Sequence, residues 1–445
     1  MALMMSVSGV RGLIGETMTP ELAASMGAAF GTFLDGGAVV LGMDSRPSGE
    51  MVKGAVESGL LAVGCNVVEL GIATTPGVAL MVSELNAKGG IVITASHNPI
   101  VWNGIKFLVA PGRAPSARTA EEIFSIYRSK RTRFADVENI GRMERDLSTN
   151  DRHVAKVMRT LDMAAIRRRQ LHVVLDSVNG AGGASGRMLL ERLDCRVEHM
   201  NAEPNGRFAH TPEPTAENLV SLCEAVKASG ADIGFAQDPD ADRLAIVDNT
   251  GRYIGEEYTL ALAAKYIFSK TPGAAATNLS TSRMIDDIAA KAGRGCVVHR
   301  TAVGEANVVD AITAHRCVIG GEGNGGVIDP RITLVRDSLS SMGMVLSLLA
   351  EDWRPLAAIV DEMPSYTMIK QKYDLSPQQT RDWLDHIQRN FADQRISNVD
   401  GVRIDWPEGW VHVRPSNTEP IARLIAEAQD ETTGKALAKR VADLR

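Results

Sequence analysis

One layout occurs three times along the chain, and it limits the fold more than any other feature. The first copy runs AVVLGMD (Ala38 to Asp44), the turn SRPSG, a helical pattern from Met51 to Val63, then Gly64-Cys65 and the apolar NVVELG. The second runs LHVVLD (Leu171 to Asp176), SVNGAGG, a helical pattern to Leu193, then Asp194-Cys195 and RVEHM. The third runs AAATNLS (Ala274 to Ser280), a helical pattern from Arg283 to Lys291, then Gly295-Cys296 and VVHRT. Each copy reads as strand, polar turn, helix, small residue plus cysteine, strand. Apolar runs alternating with helices imply βαβ units and parallel sheets covered on both faces. The matching cysteines lie 130 and 101 residues apart, which is domain spacing and not solenoid spacing. Three similar α/β domains in tandem, with mostly parallel sheets, are expected.

After Met363 the texture changes. YDLSPQQTRDWLDHIQRNF reads as an amphipathic helix, and GVRIDW, WVHVRPS and ARLIAEA read as short strands before a final helix. A smaller C-terminal α+β domain is expected there. The 445 residues suffice for this division at roughly 150 residues per domain. The expected domains are 1–148, 149–248, 249–361 and 362–445, with Arg142 to Arg152 and the surroundings of Trp353 to Met363 read as linkers.

The charge balance excludes some partners. With 48 basic against 54 acidic residues, a net charge of -6 and only 4% aromatic residues, the chain lacks the basic and stacking surfaces that bind nucleic acid. Its five cysteines form no CxxC pair and read as reduced thiols. No apolar run reaches the ~18 residues of a membrane helix, and the first residues, MALMMSVSGVRG, carry no secretory pattern. A cytoplasmic protein with no membrane or nucleic-acid partner is expected, and a homodimer is left open.

Four loops carry candidate chemistry. GGIVITASHNPIVWNGIKF (Gly89 to Phe107) begins as a strand that stops at Ser96-His97-Asn98-Pro99. That puts Ser96 at the carboxyl end of a strand, where open α/β sheets bind ligands. A serine nucleophile needs a base, a metal or a phosphoryl group already in place, and His97 could orient it; an ordinary turn has the same composition. Asp238-Pro239-Asp240-Ala241-Asp242-Arg243 sets three carboxylates at alternate positions ahead of the apolar LAIVD. Like charges so close call for a cation, and an oxygen-only set suits Mg²⁺ or Mn²⁺. A solvated acidic turn is the bland reading. The stretch from Gly320 to Gly326 puts five glycines around Glu322 and Asn324, a backbone that a sugar could approach closely. Arg414-Pro415-Ser416-Asn417-Thr418-Glu419-Pro420 with Arg423 gathers hydroxyls and two guanidiniums suited to a dianionic phosphate.

SGVRG, TASHNP, DPDADR, GEGNGG and RPSNTEP, in this order over the whole chain, resemble the motifs of the α-D-phosphohexomutase superfamily. The resemblance implies four domains around a central cleft, and movement of a phosphoryl group between the 1- and 6-positions of a hexose phosphate. It implies that Ser96 is a phosphoserine in the working enzyme and that Asp238, Asp240 and Asp242 hold Mg²⁺ together with an oxygen on Ser96. Glu322 and Asn324 match sugar-contacting positions. Arg414, Ser416, Asn417, Thr418 and Arg423 match the grip on the phosphate that is not transferred. Arg11 matches an arginine near the serine, Lys106 a proton shuttle, and Arg243 the end of the metal loop. A hexose 1,6-bisphosphate is implied as intermediate and activator, and small sugar phosphates as partners.

The sugar loop departs from many bacterial members, which carry GE(M/Q)SGH: here Asn324 stands for the serine and Gly326 for the histidine. The third-domain turn Thr301-Ala302-Val303-Gly304 leads to Glu305 where relatives have a histidine. Lys106 is therefore the shuttle that the resemblance leaves. This variant looks like archaeal members and some bacterial enzymes acting on glucosamine phosphate, so that substrate is expected first, with Glu305 as a partner for its 2-amino group. Glucose or mannose phosphate is the alternative, and a metal-dependent phosphohydrolase using Ser96 a further one.

Overall fold

The computed structural model describes residues 3–416 and 421–445. Its three α/β units share one plan. In the first, Gly37–Met43 lies between Cys65–Ile72 and Gly89–Ile93, both parallel to it, and Trp102–Val109 returns antiparallel beside Gly89–Ile93. In the second, His172–Asp176 lies between Arg196–Met200 and Ile233–Gln237, and Leu244–Asp248 returns antiparallel. In the third, Ala274–Asn278 lies between Val297–Thr301 and Ile319–Glu322, and Gly326–Ile328 returns antiparallel. The strand–helix–strand repeat of the sequence is thus the first half of each unit, and a hairpin closes each one.

The units differ at their edges. Met4–Ser6 and Gly9–Leu13 extend the first sheet beyond its return strand, and Met143–Arg145 joins it at the other side. That seven-stranded sheet is evenly mixed, whereas the other two keep two parallel pairings for one antiparallel. Strand Met143–Arg145 and helix Thr149–Met158 occupy much of the stretch expected as the first linker, and helix Leu356–Asp361 lies in the second. Polar composition misled there: the strand is an exposed edge strand, and the first helix buries only one face.

Local chemistry explains the helices. In Gly49–Ala62, Val52, Val56 and Leu60 recur every four residues, and all are fully buried against the sheet. Helix Ser338–Glu351 is buried along almost its whole length, and two of its serines satisfy their hydroxyls on nearby backbone, Ser341 on the Asp337 carbonyl and Ser347 on that of Gly343. Leu339, Met342 and Val345 on this helix pack in one cluster with Leu175 and Phe235 of the second sheet and Ala275 and Ile319 of the third. The second and third units therefore share a core, which fixes their hairpins relative to each other.

The C-terminal sheet is antiparallel throughout, in the order Thr367–Asp374, Ile421–Ala428, Gly409–Pro415, Val402–Asp405, Arg395–Ser397. Helices Pro377–Asn390 and Glu431–Ala442 complete it. The first of these starts later than the sequence pattern suggests, because Tyr373 and Asp374 end a strand and Ser376 caps the helix in a reciprocal capping box with Gln379. Among the described residues no helix is long and apolar enough to cross a membrane.

Candidate active site

The three hairpins that close the α/β units carry the serine, the aspartates and the glycine-rich turn, and they converge. Ser96 follows the strand Gly89–Ile93 with a left-handed φ of 51°, uncommon for a residue other than glycine. The loop is held from beneath by Arg46, in the SRPSG turn. Its guanidinium donates to the carbonyls of Ser96 (2.6 Å), Asn98 (2.7 Å), Pro99 (2.9 Å) and Trp102 (3.2 Å). Asp44 in turn accepts from Arg46 Nε at 3.1 Å and from the Thr94 hydroxyl at 2.6 Å. Ser96 is buried, yet its Oγ reaches the second unit and donates to Asp238 Oδ2 at 3.1 Å.

Asp238, Asp240 and Asp242 are all buried, and one oxygen of each lies within 4.8 Å of the others. Asp238 Oδ1 accepts from the Arg243 backbone at 3.1 Å. Asp240 Oδ2 accepts from the Thr75 hydroxyl and from Lys106 Nζ, each at 2.6 Å. Asp242 Oδ2 accepts from Lys106 at 3.2 Å and from Arg336 at 2.6 Å. Asp240 Oδ1 and Asp242 Oδ1 have no hydrogen-bond partner although they are buried. Unsatisfied buried carboxylate oxygens are costly. Two of them beside Asp238 and the Ser96 hydroxyl form an oxygen-only set that fits a hard divalent cation.

Charge separates the three acids. Burial and the neighbouring Asp242 and Asp240 push Asp238 well above the usual carboxylate range. Burial also works against ionising Asp242, but Arg336, Lys106 and Arg243 outweigh it and hold the acid far below that range. Asp240 is likewise lowered, against burial and Asp242, by Lys106 and Thr75. Lys106 is raised: burial opposes its charge, and Asp240 and Asp242 more than compensate. It stands here as a protonated ammonium bridging two of the three carboxylates.

The other residues singled out in the sequence fall around this centre. Arg11 donates to the Asn98 side chain at 2.8 Å. Burial lowers its guanidinium, with Asp240 and Asp242 opposing and Arg243 assisting. Arg243 Nε stands 3.9 Å from Asp242 Oδ1. His97 Nδ1 lies 3.4 Å from Ser96 Oγ, and burial with Arg243 and Arg11 nearby holds the ring far below its ordinary value, hence neutral.

Glu322 ends the strand Ile319–Glu322 and accepts from Asn278 at 2.8 Å, from the Gly304 backbone at 3.3 Å and from Arg336 at 2.8 Å. Asn324 folds back to accept from the Gly326 backbone at 3.2 Å. Glu305, expected to meet an amino group, has its Oε2 3.0 Å from Arg336 Nε, and burial raises its carboxyl.

In the C-terminal sheet Arg414 and Arg423 are cross-strand partners. Like charges directly opposite each other are unfavourable unless an anion lies between them. Arg414 Nε donates to Asp400 at 2.9 Å while its buried NH2 group has no partner. Asp400 also accepts from the Val303 backbone at 3.0 Å, and so ties the arginine pair to the turn beside Glu322. Ser416 follows the strand, its backbone donating to Ile421 at 2.8 Å; Asn417 and Thr418 lie outside the described residues.

Three functional residues were missed in the sequence. Arg46 sits in a first-unit turn and Thr75 opens the helix Thr75–Glu84, and only the strand end before SRPSG hinted at the former. Arg336 gave no signal, because its three acidic partners come from three separate segments.

Known proteins resemble the chain over its whole length. Four family models match in order: phosphoglucomutase/phosphomannomutase alpha/beta/alpha domain I at residues 3–134, domain II at 151–251, domain III at 256–366, and the C-terminal domain at 377–444. A "phosphoglucomutase/phosphomannomutase" from Thermococcus kodakarensis is 39% identical over 95% of this chain and 94% of its own length. A "probable phosphoglucosamine mutase" from Methanopyrus kandleri is 37% identical over 98% of this chain and 96% of its own. The crystal structure of a phosphoglucomutase/phosphomannomutase family protein from Burkholderia thailandensis superposes with a TM-score of 0.88 at 26% identity, covering 99% of this chain and 96% of that one.

Proposed function

Because the chain belongs to the phosphoglucomutase/phosphomannomutase family, and is thereby a phosphohexomutase, we propose that it interconverts glucosamine 6-phosphate and glucosamine 1-phosphate through a phosphoserine at Ser96. The observation that carries the chemistry is the Ser96 hydroxyl on Asp238, with the unpartnered oxygens of Asp240 and Asp242 beside it. The full-length likeness to the Methanopyrus protein supports the sugar.

In this reading Asp238, Asp240 and Asp242 hold Mg²⁺ with an oxygen of the Ser96 group. When bound, the ion neutralises charge that builds on the phosphoryl group during transfer. The rest falls to the chain. Glu322 and Asn324 orient the sugar, and Arg414, Arg423, Ser416, Asn417 and Thr418 hold the phosphate that stays. The free sugar hydroxyl attacks phosphorus, the bond from phosphorus to Ser96 Oγ breaks, and the hydroxyl proton ends on Oγ. Lys106, charged beside the acids, gives its own proton to Oγ and is restored by the one the sugar hydroxyl releases, so that the net transfer runs from hydroxyl to Oγ. His97 stays neutral against the serine, and Arg11 and Arg243 add positive charge.

The bisphosphate then turns and returns its other phosphoryl group to Ser96, and a hexose 1,6-bisphosphate restores the phosphoserine when it is lost. Four domains divided near residues 148, 248 and 361 frame this cleft. Five unpaired thiols and a metabolite substrate support a cytoplasmic setting.

One observation favours a second reading, a mutase for glucose or mannose phosphate. The Glu305 Oε2 is already paired with Arg336, whose positive charge answers the carboxylate that would meet an ammonium group. An assay with Mg²⁺ and a trace of hexose 1,6-bisphosphate, run on glucosamine, glucose and mannose 6-phosphates, separates the cases. Fastest formation of glucosamine 1-phosphate supports the proposal, and faster glucose or mannose turnover selects the second reading. Release of inorganic phosphate without isomer would make Ser96 the nucleophile of a hydrolase.

A further inference from the structure

Arg336 sits where three functional segments meet. Its NH2 group donates to Asp242 of the metal loop at 2.6 Å, and its NH1 group donates to Glu322 of the sugar loop at 2.8 Å. Nε stands 3.0 Å from Glu305, whose Oε2 also accepts from the Arg336 backbone at 3.1 Å. Three acids around one guanidinium leave it no spare charge for a substrate phosphate, so its work is on the acids themselves.

The fold prepares this position. Asp337, the next residue, caps the buried helix Ser338–Glu351 through Leu339 at 2.9 Å and accepts from the buried His153 at the same distance. Across the hairpin stands Gly326. A Cβ there would lie 2.1 Å from Arg336 Cδ, so the arginine fills the room that any side chain at 326 would need. The glycine that replaces the histidine of many bacterial members is therefore matched to this arginine.

We infer that Arg336 is a positioning residue that couples the metal loop to the sugar loop. By holding Asp242 Oδ2, it turns Oδ1 toward the cation site; by holding Glu322 it sets the carboxylate that meets the sugar. The sugar half of this inference rests on the functional reading above. Loading of the cation and seating of the sugar are then linked, since each loop constrains the guanidinium that orients the other.

The test is titration of the full-length protein with Mn²⁺ alone, then with Mn²⁺ in the presence of the hexose 6-phosphate that the wild type turns over fastest. Arg336→Met should weaken Mn²⁺ binding by about tenfold or more, the usual effect of removing a partner that orients a metal ligand. It should raise KM more than it lowers kcat, and abolish the effect of the sugar on Mn²⁺ affinity. Arg336→Lys, which keeps the charge but spans fewer acids, should recover part of the loss. Gly326→Ala should move both constants in the direction of Arg336→Met although the arginine remains.

A folded Arg336→Met protein whose Mn²⁺ affinity and sugar coupling match the wild type would overturn the inference. Tighter Mn²⁺ binding in that variant would also overturn it, by making Arg336 a competitor of the metal. If Arg336→Met does not fold, Arg336→Lys and Gly326→Ala decide in the same terms. Mn²⁺ binding needs no turnover, so a wild type that binds the ion without isomerising any sugar would refute the mutase reading and leave the metal result standing.

Discussion

The second and third units turn at the same place in the same topology, and fill that turn in opposite ways. The hairpin proposed to hold the metal crowds three carboxylates into six residues and takes a left-handed φ of 56° at Ala241, a residue with a side chain. It is held by groups from outside its own unit: Thr75 and Lys106 from the first, and Arg336 from the third. The hairpin proposed to meet the sugar has one carboxylate and takes its own left-handed turn at Gly325, φ 83°. Its backbone lies against its neighbour, Leu244 donating to Gly325 at 3.0 Å. Arginine and lysine hold Asp242 low, whereas burial raises Glu257 and Glu305 beside the sugar turn. Repeated topology decides where a turn points; the surrounding charge decides what it can bind.

The largest expected effect is in the metal hairpin. Asp242→Asn removes one ligand charge and leaves Arg336 and Lys106 facing a neutral amide. Turnover should fall by at least about 10²–10³, the scale of losing a key electrostatic group, with KM for the sugar changed far less. A variant that instead lost only sugar affinity would show that the two hairpins do not divide the work.

In the sugar hairpin the same logic calls for adding an atom and not removing a charge. At Gly325 a Cβ would stand 2.6 Å from the Leu244 carbonyl oxygen, and the backbone is left-handed. Gly325→Ala should cost about 1–3 kcal/mol of local strain. It should raise KM severalfold while Mn²⁺ affinity stays within a few-fold of the wild type. Equal loss of metal and sugar binding would mean the hairpins respond as one body.

The smallest effect concerns Glu257, pushed up to about 8 by burial and by nearby Glu427. Its folded value lies above its unfolded one, so the folded chain holds an extra proton. Stability then falls as pH rises from the ordinary carboxylate range through about 8. Glu257→Gln should melt with the wild type near the acid end and above it on the alkaline side, by a few degrees. Identical melting curves across that range would remove charge strain from the sugar side of the comparison.

Much of this was legible in the chain. Val39 to Leu41, Val173 to Leu175 and Ala274 to Ala276 announce strands because a strand covered on both faces must be apolar throughout, and that constraint is local. Ser96, the aspartates and Glu322 were legible for a similar reason, each lying on one short turn. Pairings across units were not. Arg336 acts on Asp242, 94 positions away, and Lys106 on Asp240, 134 positions away. Nothing local marks either pairing. Glu305 shows the same limit from the other side, a carboxylate whose charge was visible and whose arginine partner was not. The core shared between the second and third units was hidden too, because a helix buried on every face, such as Ser338–Glu351, does not say which sheet it covers.

Phosphoryl occupancy of Ser96 is the most direct test of the central claim. The protein would be incubated with Mg²⁺ and a hexose 1,6-bisphosphate, and the phosphorylated residue mapped by peptide mass before and after a chase with hexose 6-phosphate. Phosphate should appear on Ser96, leave it during the chase as bisphosphate forms, and be absent from a folded Ser96→Ala variant that has lost mutase turnover. Phosphate on another residue, or turnover that persists in Ser96→Ala, would contradict it.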